Sequence, residues 1–166
     1  RALVSQNFLV SKFQIGFNCL SFARGDLASS QGLPLWMMKE FFDTLKIQPN
    51  KALGQNFLKD NKVVQKLAQA ADLSQEDLVV EVGAGLGVLT KELAQKAGKI
   101  IALEIDPRFI PYLQSELADY QNTDIVNIDC LKFDFVTAFL KKPSWEGGKY
   151  GKIVGSIPYQ ITSPLL

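Results

Sequence analysis

The stretch "LVVEVGAGLGVLTKELAQKAGKIIALEID", Leu78 to Asp106, decides the fold. Its first five residues, Leu78 to Val82, are apolar except for Glu81. Such a run is long enough for a buried strand and too short for a helix. Three glycines follow at alternate positions, Gly83, Gly85 and Gly87. Residues 87–97, "GVLTKELAQKA", have the spacing of a helix, and residues 99–105, "KIIALEI", form a second apolar strand. Two apolar strands joined through a helix make a parallel pair, because a tight hairpin cannot connect parallel strands.

The same alternation continues outward. Residues 107–120, "PRFIPYLQSELADY", predict a helix with Pro107 in its first turn, where a missing N–H costs nothing. Pro111 is tolerable there only because it too lies near the start. "DIVNI" (124–128) predicts a third strand, and "LKFDFVTAFLKK" (131–142) a weak helix or irregular stretch. "SWEGGKYG" (144–151) predicts a loop, and "KIVGSIPY" (152–159) a fourth strand running into a turn. Upstream, Val63, Val64, Leu67 and Ala71 share one helical face behind Asp60, a suitable N-cap. The expected class is therefore α/β, a parallel sheet with helices on both faces. Right-handed crossovers bring the four carboxyl ends to one edge, where such sheets bind ligands.

Composition agrees with a globular unit: 166 residues, 47% hydrophobic and 21% charged, with net charge +1. That charge is uninformative about nucleic acid, because local patches decide it. Cys19 and Cys130 are far apart and lack metal or redox spacing, which suits a reducing, cytoplasmic setting. The absence of histidine excludes Ser-His-Asp and Cys-His chemistry, and His-based zinc sites, within these residues. No metal is expected. No apolar run approaches the roughly 18 residues of a membrane span.

Residues 1–37 have no sustained period, and the two methionines, Met37 and Met38, follow directly. The expectation is an upstream extension or non-native leader over 1–37, poorly ordered, with translation starting at Met37 or Met38. A transit peptide is the alternative, given frequent Ser and few acids. Residues 38–166 are then the N-terminal part of one catalytic domain, cut at the C-terminus inside an apolar stretch.

Chemistry-bearing residues stand at the predicted strand ends. The glycines allow a backbone to approach a ligand closely, but GxGxG is not the GxGxxG of dinucleotide enzymes. Glu104 lies 21 residues after Gly83. An acid there can accept hydrogen bonds from vicinal ribose hydroxyls. Asp129, ending the third strand, could accept from an adenine amine or cap the following segment, and the residues alone leave both open. Pro158 and Tyr159 follow the fourth strand, and the Tyr ring is placed to stack on a base.

These motifs resemble the class I methyltransferases that use S-adenosylmethionine, and more narrowly the rRNA adenine N6,N6-dimethyltransferases. "KALGQNFL", "EVGAGLGVLT", "ALEIDPR" and "GSIPYQITSPLL" match that family in type, order and interval from about Ile47 to Leu166. QNFL occurs twice; the copy from Gln55 stands where the family covers its cofactor, and the copy from Gln6 is read as coincidence. The resemblance implies a Rossmann-like domain with strand order 3-2-1-4. Further C-terminal strands and a small helical domain are missing here, so the fourth strand's far edge is expected to be open and prone to aggregation.

For the site, the resemblance implies S-adenosylmethionine contacts from Asn56, Leu58, Glu81, Gly83, Gly85, Glu104, Ile105, Asp129, Cys130 and Ser156. It places Ser156, Ile157, Pro158 and Tyr159 at the reacting amine. The family has Asn where this chain has Ser156, a shorter acceptor. The implied substrate is adenosine in small-subunit (16S) rRNA of an assembling 30S-type subunit, in ribosome biogenesis, modified by a monomeric cytoplasmic enzyme. Lys141, Lys142, Lys149 and Lys152 are a candidate phosphate-contacting patch, although such lysines are commonly just solvated. Rival readings are an erythromycin-resistance-type 23S rRNA methylase, a non-catalytic ribosome-assembly or transcription factor on the same scaffold, and an NAD-dependent oxidoreductase.

Overall fold

Near-continuous apolar runs along short strands require a sheet covered on both faces, and the computed structural model has that arrangement. It describes residues 3–5, 8–13, 43, 60–140 and 150–156. The strands are β1 (Leu3–Ser5), β2 (Phe8–Phe13), β3 (Asp77–Val82), β4 (Lys99–Glu104), β5 (Thr123–Asn127) and β6 (Tyr150–Ser156). The helices are α1 (Asn61–Ala70), α2 (Val88–Ala94), α3 (Ile110–Glu116) and α4 (Phe135–Leu140). The sheet order is β1-β2-β6-β3-β4-β5, with β3 to β6 mutually parallel. Within that parallel part the order is the 3-2-1-4 that the family resemblance implies.

Strand parity divides the core. Val79, Ile100, Ala102 and Val154 face α1, α2 and α3, whose Val64, Leu67, Leu93 and Leu113, with Phe109 just before α3, complete the first cluster. Leu78, Val80, Val82, Ile101, Leu103 and Ile153 face the opposite way, onto Cys130, Phe133, Phe135 and Phe139. The Phe133 and Phe135 rings meet edge to face at 5.0 Å. Gly151 is small for a packing reason: a Cβ there would collide with the Phe139 ring. Both faces being covered explains why every residue of β3 is buried, Glu81 included.

Helix ends follow local chemistry. The Asp60 carboxylate accepts from Lys62 N at 2.9 Å and starts α1. Asp106 does the same for a 3-10 turn over Pro107–Phe109, which α3 continues. Pro111 is the second residue of α3, where no intrahelical bond is lost.

Two expectations are corrected. The far edge of the fourth predicted strand, β6, is not open: β2 pairs with it antiparallel from Phe8↔Ser156 to Phe13↔Gly151, and β1 pairs with β2. An edge strand offers a row of unpaired N–H and C=O groups, so an extended segment that reaches it is drawn into the ladder. Lys152 is not part of an exposed phosphate patch. It is 4% exposed, and its ammonium donates to Asp77 Oδ2 at 2.8 Å and to the Asp72 carbonyl. Lys141, Lys142 and Lys149 lie outside the described residues. Among the described residues no helix is long and apolar enough to cross a membrane.

Candidate active site

The carboxyl ends of β3, β4, β5 and β6 lie along one edge, and the predicted site residues among the described positions gather there. Gly83, Gly85 and Gly87 leave β3 with φ of +79°, +54° and +72°. These left-handed conformations are strained for any side chain with a Cβ. At Gly87 the space is closed as well, since a Cβ would come within 3.1 Å of Leu113 Cδ2. Gly83 lies beside β6 with ordinary contact room: a Cβ there would sit 3.5 Å from the Ser156 carbonyl oxygen. The first turn of the glycine loop and the end of β6 are therefore neighbours. Gly83 N and Ala84 N both donate to the Leu103 carbonyl, tying the loop to β4 as well.

Glu104, the last residue of β4, is 4% exposed. Its Oε2 accepts from Gly85 N at 2.7 Å and its Oε1 from Asp106 N at 2.9 Å. Each oxygen keeps a lone pair, so the carboxylate is held by the backbone and can still accept two more hydrogen bonds. Burial raises its pKa, and the N–H groups of Asp106 and Gly85 offset part of that rise. Ile105 beside it is 45% exposed, an apolar surface at the same edge. Two residues past the end of β5, Asp129 caps the 3-10 turn Cys130–Lys132 by accepting from Leu131 N at 3.0 Å. Cys130 is buried in the second core cluster, which pushes its thiol pKa up and keeps it protonated.

Glu81 is the unusual group. It is 1% exposed, and neither carboxylate oxygen has a hydrogen-bond partner; the Thr90 hydroxyl is likewise buried and unpaired. The Glu81 pKa is raised to about 7. Burial is the largest cause, the Thr90 hydroxyl close by offsets part of the rise although it misses hydrogen-bonding geometry, and the Glu104 charge adds to it. The unfolded chain loses this proton near 4.5, whereas the folded chain holds it to about 7. Between those values the folded state binds more protons, so stability falls as pH rises, by up to about 3 kcal/mol once both states are ionised. Glu104 shifts in the same direction. Glu81→Gln is expected to flatten that decline in urea titrations between about pH 5 and about pH 8. An equal decline in the variant would assign the effect to another group.

Ser156 is partly exposed at the end of β6. Asn56, Leu58, Ile157, Pro158 and Tyr159 lie outside the described residues. Two neighbours of these carboxylate-bearing residues escape a reading of sequence alone. Thr90 appears there as one more residue of a helix, and Asn127 as a polar strand end. Their signal is positional: each stands near a site carboxylate across the sheet edge.

The model of the family described as ribosomal RNA adenine dimethylase matches residues 46–166. The chain belongs to that family. A ribosomal RNA small subunit methyltransferase A of Alkaliphilus metalliredigens is 39% identical over 128 residues, which are 77% of this chain and 44% of that protein. The protein of the same name from Pelotomaculum thermopropionicum is 41% identical over 133 residues, 78% of this chain and 45% of the relative. Among solved structures, the 23S rRNA methyltransferase ErmE is similar with TM-score 0.54 and 35% identity, over 66% of this chain and 41% of that one. A dimethyladenosine transferase from Plasmodium falciparum gives 0.53 and 30%, over 66% and 36%. The family's Rossmann-like α/β fold is thus present. The chain spans less than half the length of the curated relatives it matches.

Proposed function

We propose that residues 38–166 are the N-terminal part of the catalytic domain of an S-adenosylmethionine-dependent enzyme that dimethylates adenosine N6 in small-subunit rRNA, in the cytoplasm during subunit assembly. The observation that carries this is the Glu104 carboxylate, fixed by Gly85 N and Asp106 N beside a three-glycine loop, in a member of the dimethylase family. The donor set fits S-adenosylmethionine. Glu104 has free lone pairs for two ribose hydroxyls, and Glu81 has two buried oxygens without partners, suited to the ammonium of a methionine moiety. Ile105, Asp129 and Cys130 would hold the adenine, the bare backbone of Gly83 and Gly85 would let the donor approach, and Asn56 and Leu58 would cover it. When bound, S-adenosylmethionine supplies an electrophilic methyl group on sulfur.

The remaining chemistry belongs to the protein. An adenine N6 lone pair is delocalised into the ring and is a weak nucleophile. Acceptors that draw its two hydrogens out of the ring plane localise the lone pair, and the Ser156 hydroxyl and the Ile157 carbonyl are the acceptors assigned here. Tyr159 would stack on the extruded base, and Pro158 before it has a fixed φ and no N–H to donate. Placement of the amine supplies most of the rate. Once methylated, the nitrogen is acidic enough to give its proton to water, which suits a chain without histidine.

Ser156→Ala is expected to lower kcat about tenfold, the worth of one lost hydrogen bond, while leaving donor KM nearly unchanged. Ser156→Asn, which reaches further, should match or exceed the parent. Equal turnover by parent and both variants removes Ser156 from the acceptor role. The function itself is tested with the full-length protein, tritiated S-adenosylmethionine and under-methylated subunits. Label in N6,N6-dimethyladenosine of small-subunit rRNA is the expected result. Label confined to large-subunit rRNA would favour the reading that the likeness to ErmE supports. No transfer would favour a non-catalytic assembly factor.

A further inference from the structure

The geometry points to Asn127 as a positioning residue for Glu104, acting on donor affinity through the backbone turn that follows β4. This rests on the donor site proposed above. Glu104↔Asn127 is the last register pair between β4 and β5, so the parallel ladder ends there. Beyond it, β4 has no further strand to hold its direction, yet residues 104–106 must carry the site carboxylate at a fixed angle.

Asn127 supplies that hold. Its Nδ2 donates to the Glu104 carbonyl at 2.7 Å and to the Ile105 carbonyl at 3.2 Å. Ile128 N also donates to the Glu104 carbonyl, at 3.0 Å. One side-chain amide thus bridges two successive carbonyls and sets the plane of the Ile105–Asp106 peptide. That peptide carries the N–H which Asp106 donates to Glu104 Oε1. Gly85 N holds the other oxygen from the neighbouring loop. Asn127 is therefore the anchor of one of the two donors that aim the carboxylate, without touching the carboxylate itself. The same turn presents Ile105, which is 45% exposed at the site edge.

Asn is suited to this task because only an amide nitrogen offers two donors on so short a stem. Aspartate has the same shape but no donor, and its charge would face two carbonyl oxygens. The Asn127 side chain is exposed, so its loss leaves water free to solvate the carbonyls and the fold intact. The cost falls on orientation.

The test compares the parent with Asn127→Asp and Asn127→Ala. S-adenosylhomocysteine should bind both variants about tenfold more weakly, with kcat at saturating donor within about twofold of the parent. In the ligand-free proteins, amide exchange of Asp106 should be faster than in the parent, and the isosteric Asp should be at least as impaired as Ala. Unchanged Asp106 exchange in both variants overturns the positioning role, as does an Asp variant that binds like the parent. If the parent itself binds no S-adenosylhomocysteine, the donor-site reading fails, and the exchange measurement still decides whether Asn127 holds the turn.

Discussion

S-adenosylhomocysteine is expected to bind Glu104→Gln about 100-fold more weakly than the parent, a loss of about 3 kcal/mol. The Gln side chain is nearly isosteric, so the loss comes from charge and from donor geometry. Both oxygens of Glu104 accept backbone N–H groups, from Gly85 and Asp106. An amide must turn its NH₂ toward one of those donors, breaking that bond, and its single oxygen then serves both backbone and ligand. Hydrogen bonds to a carboxylate are also stronger than those to a neutral carbonyl. Stability should not fall with affinity: burial already raises the Glu104 pKa, so removing the charge relieves a folding cost. Calorimetric titration gives the affinity and thermal unfolding the stability. Unchanged affinity in a folded variant would detach Glu104 from the ligand.

Lys152→Met should destabilise the fold by about 3–5 kcal/mol, the usual cost of leaving one partner of a buried ion pair alone. The Lys152 and Asp77 side chains are 5% and 1% exposed, 2.8 Å apart. Asp77 Oδ2 also accepts from Ser74 N and Ser74 Oγ, but its Oδ1 has no partner, and among the described residues Lys152 is the cation that compensates it. This cluster lies at the amino end of β3, the opposite end from the glycine loop. It ties β6 to the loop after α1, through the Asp72 carbonyl. The double variant Lys152→Met with Asp77→Asn should recover most of the loss, because no unpaired charge then remains buried. Urea denaturation of the four proteins reads the coupling. Additive losses would mean that the two side chains do not compensate each other.

The parallel part of the sheet was legible because its signals are local. The apolar runs around Val80, Ile101, Val126 and Ile153, and the glycines at 83, 85 and 87, each state their own conformation. Glu104 could be singled out because strand, turn and helix fix its place within one unit. Lys152 could not. A lysine opening a strand just after a glycine-bearing loop looks like one more solvated charge, and its burial depends on Asp77, 75 positions earlier. The pairing of Phe8–Phe13 with β6 was equally hidden. Short apolar patches mixed with Ser and Gly have no period of their own, and such a strand is defined by the edge it meets. Asn127 illustrates a third case: it bonds two carbonyls, one at the last residue of β4 and one just past it, which composition does not report.

The most direct measurement is the crystal structure of the protein with S-adenosylhomocysteine. The nucleoside should lie across the ends of β3 and β4, with both ribose hydroxyls on the Glu104 carboxylate and the Gly83–Gly87 backbone against the ligand. A ligand bound at any other part of the sheet, or a Glu104 carboxylate turned away from the sugar, would contradict the account.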